Sequence, residues 1–271
     1  MMHQLSRRVA RSMPRLTKSF MPGTQTTVRH LNLHEYQSKD LMEQYGLNVQ
    51  KGKMAENATE AAEIAKWIKD ENPSAELILK AQIHAGGRGK GSFDSGLKGG
   101  VKICSTPDEV ADYTKQMLGY KLITHQTGPE GQLCEKVLIN EGITIDSEKY
   151  VAILMDRAAN GPVIVASAKG GMDIEAVAEE DPDAIVSAPI DPRGPLPKET
   201  SKAIAEGIGF APEKIPLVQE QLENLYELFL STDATQVEIN PFAEGSVPGT
   251  LLSCSGLVKR VGFVSPQSFV V

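Results

Sequence analysis

The spacing of apolar residues along the chain predicts several helices. Asn32 and Gly46 stand where the cap and the stop of the first helix are expected, and Thr106 and Glu109 form a capping box that opens a later one. Helices are predicted over residues 33–45, 58–69, 107–118, 199–206 and 212–230.

Short apolar runs between turn residues predict strands. The Asn160-Gly161 pair has the chemistry of a hairpin turn, and Pro241 is expected to end the last strand. Residues 181–197 are rich in Pro and Asp and are predicted to form an exposed connection. Because helices and strands come in blocks and do not alternate strictly, the predicted fold class is α+β. The predicted strands cover residues 47–50, 76–83, 136–140, 150–155, 162–167 and 233–244.

The N-terminal segment differs in composition from the rest of the chain. Residues 1–34 contain no Asp or Glu, six cations lie within residues 1–30, and the apolar residues there follow one helical stripe. This composition is typical of a mitochondrial transit peptide, so we predict one over residues 1–30; a basic disordered arm is the alternative. Removal of that segment would leave 22 basic and 35 acidic residues, a formal charge of −13.

The overall composition narrows the classes of function. With 41% hydrophobic and 23% charged residues, the 271-residue chain matches a soluble globular protein, and no apolar run approaches the roughly 20 residues of a membrane span. The formal net charge of −7 argues against a general nucleic-acid binder. Cys104, Cys134 and Cys254 form no CxxC pair, so neither a zinc site nor a disulfide framework is predicted.

A lysine at the end of an apolar strand, followed by a glycine-rich loop, predicts a phosphate site. The Lys80 ammonium would be costly there unless it met an anion, and glycines let backbone N–H groups approach a phosphate. The loop is neither a P-loop nor a dinucleotide fingerprint, and a flexible surface hairpin is the alternative. A second glycine cluster, over residues 96–100, is placed to close over the site. The loop itself contains Gly86, Gly87, Gly89 and Gly91, interleaved with the cations Arg88 and Lys90.

The last predicted strand carries two possible metal ligands on one face. The two-residue period of a strand puts Glu238 and Asn240 on the same side, with Val237 and Ile239 buried behind them. A carboxylate and an amide oxygen are suitable ligands for Mg²⁺. A strand surface that simply faces solvent would show the same alternation, so the pattern leaves both interpretations open.

Specific motifs in the chain resemble those of one family. The runs Leu33-His-Glu-Tyr-Gln, Lys80-Ala-Gln-Ile-His-Ala-Gly-Gly-Arg-Gly-Lys and Asp233-Ala-Thr-Gln-Val-Glu-Ile-Asn-Pro are similar to those of mitochondrial succinyl-CoA synthetase (succinate–CoA ligase) β subunits. The resemblance implies an ATP-grasp fold, in which two α+β lobes hold a nucleotide in the cleft between them. It implies such a domain over residues 31–245.

The resemblance also implies roles for single residues. Asn240 would bind Mg²⁺, and Glu238 would orient a phosphohistidine that belongs to a partner α subunit. The substrate nucleotide would be ATP/ADP or GTP/GDP, with a slight preference for the GDP-forming type. The implied nucleotide-binding positions are Lys80, Gly87, Arg88, Gly89, Glu141 and Glu148, with a one-residue offset near Asn140 that affects Glu141.

The implied activity is reversible phosphoryl transfer between a nucleoside diphosphate and that phosphohistidine. It would take place in a heterodimer with the α subunit and be coupled to the interconversion of succinate and succinyl-CoA. The implied setting is the tricarboxylic acid cycle of the mitochondrial matrix. Neither nucleic acid nor a membrane is expected as a partner.

The C-terminal segment departs from the family pattern. No Asp or Glu follows Glu244, whereas the family has a second Mg²⁺-binding aspartate beyond that strand. Residues 246–271 are therefore expected to be a divergent segment, either a substitute strand or an adhesive tail, and the family's C-terminal CoA-ligase domain is expected to be lacking. Two hypotheses stay open: an active ligase subunit, or a truncated, catalytically impaired module that binds nucleotide or the α subunit. A ligase for another short dicarboxylate is a third.

Overall fold

Two hydrophobic cores, each built on an antiparallel sheet, organise the described part of the chain. The computed structural model describes residues 30–170, 174–245, 251–253 and 256–261. The predicted transit peptide over residues 1–30 therefore lies almost entirely outside the described residues. In the part of the chain that is described, no helix is both long and apolar enough to cross a bilayer.

The described residues form six α-helices and fourteen strands. The helices are α1 (Glu35–Gln44), α2 (Ala58–Glu71), α3 (Pro107–Met117), α4 (Ile174–Glu180), α5 (Lys198–Gly207) and α6 (Ile215–Ser231). The strands are β1 (His30–Asn32), β2 (Gly52–Ala55), β3 (Leu77–Ala81), β4 (Ser92–Phe93), β5 (Val101–Cys104), β6 (Lys121–Ile123), β7 (Gln132–Leu133), β8 (Val137–Glu141), β9 (Ile145–Asp156), β10 (Gly161–Ser167), β11 (Ile185–Pro189), β12 (Ala234–Gly245), β13 (Leu251–Ser253) and β14 (Gly256–Val261).

The small lobe, residues 52–141, is built on the four-stranded sheet β2-β8-β3-β5. Helices α2 and α3 cover one face of this sheet, and its core contains Leu77, Leu79 and Ile139 from that face. Because side chains alternate along a strand, the residues between them point to the opposite face. A three-stranded sheet, β4-β6-β7, lies beside this one and follows the glycine-rich loop.

The large lobe, residues 30–49 with the described residues from 145 onward, is built on a seven-stranded sheet. Its strand order is β1-β14-β12-β9-β10-β11, with β13 paired to β12. The core unites one sheet face, which includes Val237 and Ile239, with apolar residues of α5 and α6. Helix α1 also belongs to this core, through Met42 and, just beyond its end, Leu47.

Most predicted elements are confirmed, and the α+β class with them. All five predicted helices are present, and the β9–β10 hairpin turns at Asn160, whose φ is +52°. One half of the predicted capping box is present, because Thr106 Oγ1 accepts from the Glu109 N–H at 3.2 Å, while Glu109 Oε2 accepts from the N–H of Ser105, one residue before the cap. Gly46 follows α1 with φ +76°, a left-handed conformation that favours glycine at a helix end.

Four local predictions were wrong. Helix α1 is capped by His34 and not by Asn32, because Asn32 pairs with Lys259 in the large sheet. The strand predicted over residues 47–50 lies at Gly52–Ala55 instead, and the predicted connection over residues 181–197 contains the edge strand β11. Strand β12 continues past Pro241 to Gly245, because a register shift against β9 between Ile239 and Phe242 accommodates the proline.

The segment that follows β12 adds strands to the large sheet. Strand β13 pairs with β12 over its last residues, and β14 lies between β12 and β1. Of the two alternatives drawn from the sequence, the substitute strand therefore describes the backbone of residues 251–253 and 256–261.

Candidate functional site

Lys80 lies on the face of the small sheet that is opposite to α2 and α3. Its neighbours Leu79 and Ala81 are fully buried in the core, so the lysine side chain leaves the sheet on the other side. That side chain is only 12% exposed. The sequence predicted an anion beside this lysine, and the Glu35 carboxylate in α1 is one. The Lys80 ammonium donates to Glu35 Oε1 at 2.9 Å.

The glycine-rich loop directly follows β3 and is held by hydrogen bonds between its own backbone groups. Residues Arg88–Lys90 form one turn of 3-10 helix, preceded by Gly87 with φ +69°. The second glycine cluster lies against this turn: the Gly100 N–H donates to Arg88 O at 2.7 Å, and the Gly99 N–H donates to Gly91 O at 2.8 Å. The two glycine clusters are thus one backbone unit, and the alternative of a simple flexible hairpin does not fit it.

Glu35 joins Lys80 to Arg88. The Arg88 guanidinium donates from one nitrogen to Glu35 Oε2 at 2.6 Å and from another to Ala81 O at 2.8 Å. The Glu35 side chain is 4% exposed, and the Arg88 side chain is 15% exposed. Burial alone would raise the pKa of Glu35, but the charges of Lys80, Arg88 and Lys39 outweigh it and hold that pKa well below its usual range. Glu35 is therefore an ionised carboxylate among three cations.

The residues on either side of Glu35 contact the same segment. The His34 ring stacks on the His84 ring with centroids 3.8 Å apart, and the Tyr36 N–H donates to Gln82 Oε1 at 3.3 Å. Burial and the neighbouring His84 lower the pKa of His34 to about 4, so the His34 ring is largely uncharged at neutral pH, and burial lowers the pKa of His84 as well. The start of α1 is thus tied to β3 and its loop along three consecutive residues.

The structure separates Glu141 from the other predicted site residues. In the register of the small sheet Lys80 pairs with Leu138, which puts Leu138 and Asn140 on the face of Lys80 and Glu141 on the opposite face. The Glu141 carboxylate accepts from Asn72 Nδ2 at 2.7 Å. Asn140 is fully buried, and neither polar atom of its side chain has a hydrogen-bond partner among the described residues. The one-residue offset from the family motif near Asn140 therefore matters in the structure, because a shift of one residue along a strand moves a side chain to the opposite face of the sheet.

The remaining predicted residues lie on the large sheet. Val237 and Ile239 are buried against the helices, so Glu238 and Asn240 occupy the sheet face away from α5 and α6, which confirms the predicted alternation. Glu238 pairs with Ala152 of β9, and four residues before Ala152 on the same face is the exposed Glu148. Glu238 Oε2 accepts from Gln236 Nε2 at 3.1 Å.

The donor set on β12 fits a magnesium ion that is shared with a phosphate. Mg²⁺ in nucleotide enzymes takes one or two protein oxygens and completes its shell with waters and phosphate oxygens. Asn240 and Glu238 offer an amide and a carboxylate oxygen on one strand face. A metal site made of protein ligands alone is not found within the described ranges, where no group of three or more His, Cys, Asp or Glu side chains could hold a metal ion.

The small-lobe cluster is chemically suited to polyanions. Lys80 and Arg88 bring two positive charges to the one carboxylate of Glu35, and the adjacent loop supplies backbone N–H groups. Glu35 is the residue that sequence reasoning missed. It lies in the Leu33-His-Glu-Tyr-Gln motif that carries the resemblance, but the resemblance assigned it no role, and a glutamate in the first turn of a helix is common for another reason, the helix dipole.

Comparisons with known proteins agree on one family. The sequence model of the ATP-grasp domain matches residues 32–244. The chain is 50% identical over 218 residues to the mitochondrial β subunit of GDP-forming succinate–CoA ligase from Dictyostelium discoideum, which covers 80% of this chain and 51% of that protein. It is 48% identical over 218 residues to the mitochondrial β subunit of the ADP-forming ligase from Neurospora crassa, covering 80% of this chain and 48% of that protein.

A solved structure shows the same fold at low sequence identity. The dinucleotide-forming acetyl-coenzyme A synthetase 1 of Ca. Korarchaeum cryptofilum superposes with a TM-score of 0.59 at 18% identity, over 84% of this chain and 92% of that one. This chain spans about half the length of the two β subunits that it matches in sequence.

Proposed function

This chain belongs to the ATP-grasp family, and from that premise we propose that it is the nucleotide-binding part of a succinate–CoA ligase β subunit. Its nucleotide would lie between the Lys80 face of the small sheet and the Glu238 face of the large sheet. The observation that carries the proposal is the cluster of buried Glu35 with the largely buried Lys80 and Arg88 beside a glycine loop, where two cations and backbone N–H groups occur together.

The proposed reaction moves a phosphoryl group between a nucleoside diphosphate and a phosphohistidine. The histidine would belong to the α subunit of a heterodimer, and the transfer would be coupled there to succinate and coenzyme A. In such transfers the protein mainly positions the groups and neutralises charge. Lys80, Arg88 and the loop amides would bind the diphosphate, and Glu238 would orient the incoming imidazole.

A magnesium ion would supply further charge neutralisation at the phosphates when it is bound. Asn240 is the residue we assign to hold it, and Glu148 would line the same wall of the cleft. On the small lobe, the proposal favours Asn140 over Glu141 as the residue that faces the nucleotide, because Asn140 shares the sheet face of Lys80.

The two relatives differ in their nucleotide, one GDP-forming and one ADP-forming, so the weak preference for GDP stays a proposal. We also propose the mitochondrial matrix as the location, since both relatives are mitochondrial and residues 1–30 have the composition of a transit peptide. A reporter fused to residues 1–30 that stayed in the cytosol would contradict that location.

Calorimetric titration of the chain with GDP and with ADP tests the nucleotide site. Lys80→Ala should weaken binding of the preferred diphosphate roughly ten- to hundredfold, because a charge-assisted hydrogen bond is lost. Lys115→Ala is the matched control, since Lys115 is an exposed lysine of the same lobe paired with Asp112 on α3. Equal affinities of the two variants would remove Lys80 from the site.

Phosphoryl transfer is measured separately. An α subunit labelled on its phosphohistidine is mixed with the chain and either diphosphate, and the label is followed into nucleoside triphosphate. Transfer to one diphosphate in preference to the other gives the specificity. Nucleotide binding with no transfer would support the module that binds without turnover.

A further inference from the structure

Helix α1 connects the two lobes through contacts at both of its ends. At its start, His34, Glu35 and Tyr36 contact the small lobe as described above. Beyond its end, Gly46 O accepts from the side chains of Gln221 and Asn224 in α6 at 3.3 and 3.0 Å. The phosphate-site cations are therefore held by a carboxylate whose own position is set by the large lobe.

We infer that Glu35 is a positioning residue for nucleotide binding, which holds Lys80 and Arg88 in the geometry that a diphosphate requires. The inference rests on the proposed function and adds to it a residue that touches no phosphate. Lys and Arg side chains are long and rich in rotamers, so fixing them on binding costs affinity. Glu35 accepts from one nitrogen of each, at 2.9 and 2.6 Å, and fixes both beforehand.

The opposite role for Glu35 makes the opposite prediction. A carboxylate beside two cations resembles a phosphate oxygen, and a carboxylate that occupied the phosphate position would compete with the nucleotide. The contacts of the carboxylate itself argue against competition, because Glu35 accepts from two cations at once, Lys80 and Arg88. The geometry argues against it too, since Arg88 is also anchored on Ala81 O and has five N–H donors in total.

The two roles are separated by the sign of the effect of Glu35→Gln. Loss of the negative charge makes the site more positive. If Glu35 competes with the phosphates, Glu35→Gln should therefore bind the diphosphate more tightly. Loss of a positioning residue should weaken diphosphate binding about tenfold in spite of the added positive charge, because two side chains must then be ordered by the ligand. Binding of the nucleoside without phosphates should stay within about twofold, since its contacts lie elsewhere.

The experiment measures dissociation constants for GDP, ADP and the matching nucleosides by calorimetry on the full chain. Glu43→Gln is the matched control, because Glu43 is an exposed glutamate of the same helix. Glu35→Asp keeps the charge and shortens the side chain, so it should restore part of the diphosphate affinity; it also carries the test if Glu35→Gln does not fold.

Three results would overturn the inference. Tighter diphosphate binding by Glu35→Gln would make Glu35 a competitor, and unchanged binding would make it a bystander. Equal losses of affinity for the diphosphate and the nucleoside would show that Glu35 only stabilises the fold. In each case the wild-type chain still binds nucleotide and the proposed function stands. A wild-type chain that binds no diphosphate would remove both.

Discussion

Gly87 and Gly89 stand two residues apart in the phosphate loop, yet their surroundings differ. Gly87 has φ +69°, and a Cβ placed on it would lie 2.4 Å from the His125 ring. A Cβ on Gly89 would meet no atom of the described residues within 4 Å. An L side chain in the left-handed region costs roughly 1–2 kcal/mol, so the two positions should respond differently to alanine.

We expect Gly87→Ala to lower the free energy of unfolding by about 1–2 kcal/mol and to weaken nucleotide binding, because the loop must change its backbone to accept the methyl group. Gly89→Ala should change stability by less than about 0.5 kcal/mol. Urea denaturation of both variants measures the difference. Similar stability losses would show that the loop adapts equally well at both positions.

Single residues of the site were predictable where a local period fixes their direction. The two-residue period of a strand correctly placed Glu238 beside Asn240 on one face, and the apolar strand around Lys80 correctly indicated that its ammonium needs an anion. Glu35 was out of reach, because it meets its partners across 45 and 53 residues of sequence. Glu141 shows the limit of matching motifs alone, since a one-residue offset exchanges one sheet face for the other.

At the scale of elements, β14 is the strand whose position is least expected. It lies inside the large sheet, and Lys259 is paired with Gln236 of β12 on one side and with Asn32 of β1 on the other. The backbone N–H of Lys259 therefore points into one of these two ladders. Proline at this position removes the donor and leaves a carbonyl without its partner.

We expect Lys259→Pro to destabilise the protein by about 1–3 kcal/mol, because one hydrogen bond of the sheet is lost and its acceptor is left without a partner. Lys259→Gln makes the same charge change but keeps the N–H, so it serves as the control. Hydrogen exchange gives a second measurement, in which amides of residues 256–261 should be protected in the wild type. Fast exchange there, with no difference between the variants, would contradict the pairing.

Elements were predictable when they were long and periodic. The helices that became α2, α3 and α6 had clear apolar stripes, and a capping box marked the start of α3. The two- and three-residue strands β4, β6 and β7 are too short to show a period. Strand β11 was missed for a different reason: all of its residues are half-buried or exposed, as expected at a sheet edge, and its last residue is Pro189.

At the scale of the whole molecule, the two cores and the site are connected through the start of α1. The small-lobe core surrounds β3, the large-lobe core includes Met42 of α1, and His34 stacks on His84 between them. The docking of α1 therefore contributes to the stability of both lobes together. This region also carries a titratable group, so the connection should depend on pH.

The direction of that dependence follows from the pKa of His34. Burial first, and then the charges of His84, Lys136 and Arg88, lower its pKa from 6.5 to about 4 in the folded protein. Between these two values the unfolded chain binds the proton and the folded chain does not. Stability from this group is therefore complete above pH 6.5 and is lost progressively as the pH falls towards 4.

We expect His34→Phe, which keeps an aromatic ring but cannot titrate, to flatten the decline in unfolding free energy between pH 6.5 and 4. The flattening should amount to at most about 3 kcal/mol, from 1.36 kcal/mol per pKa unit. His125→Gln changes an exposed histidine of the same lobe outside the stack and serves as the comparison variant. Urea denaturation of the wild type and both variants across this pH range measures the effect. Parallel curves for His34→Phe and wild type would show that the stack does not link protonation to folding, and that acid acts on the two lobes through other groups.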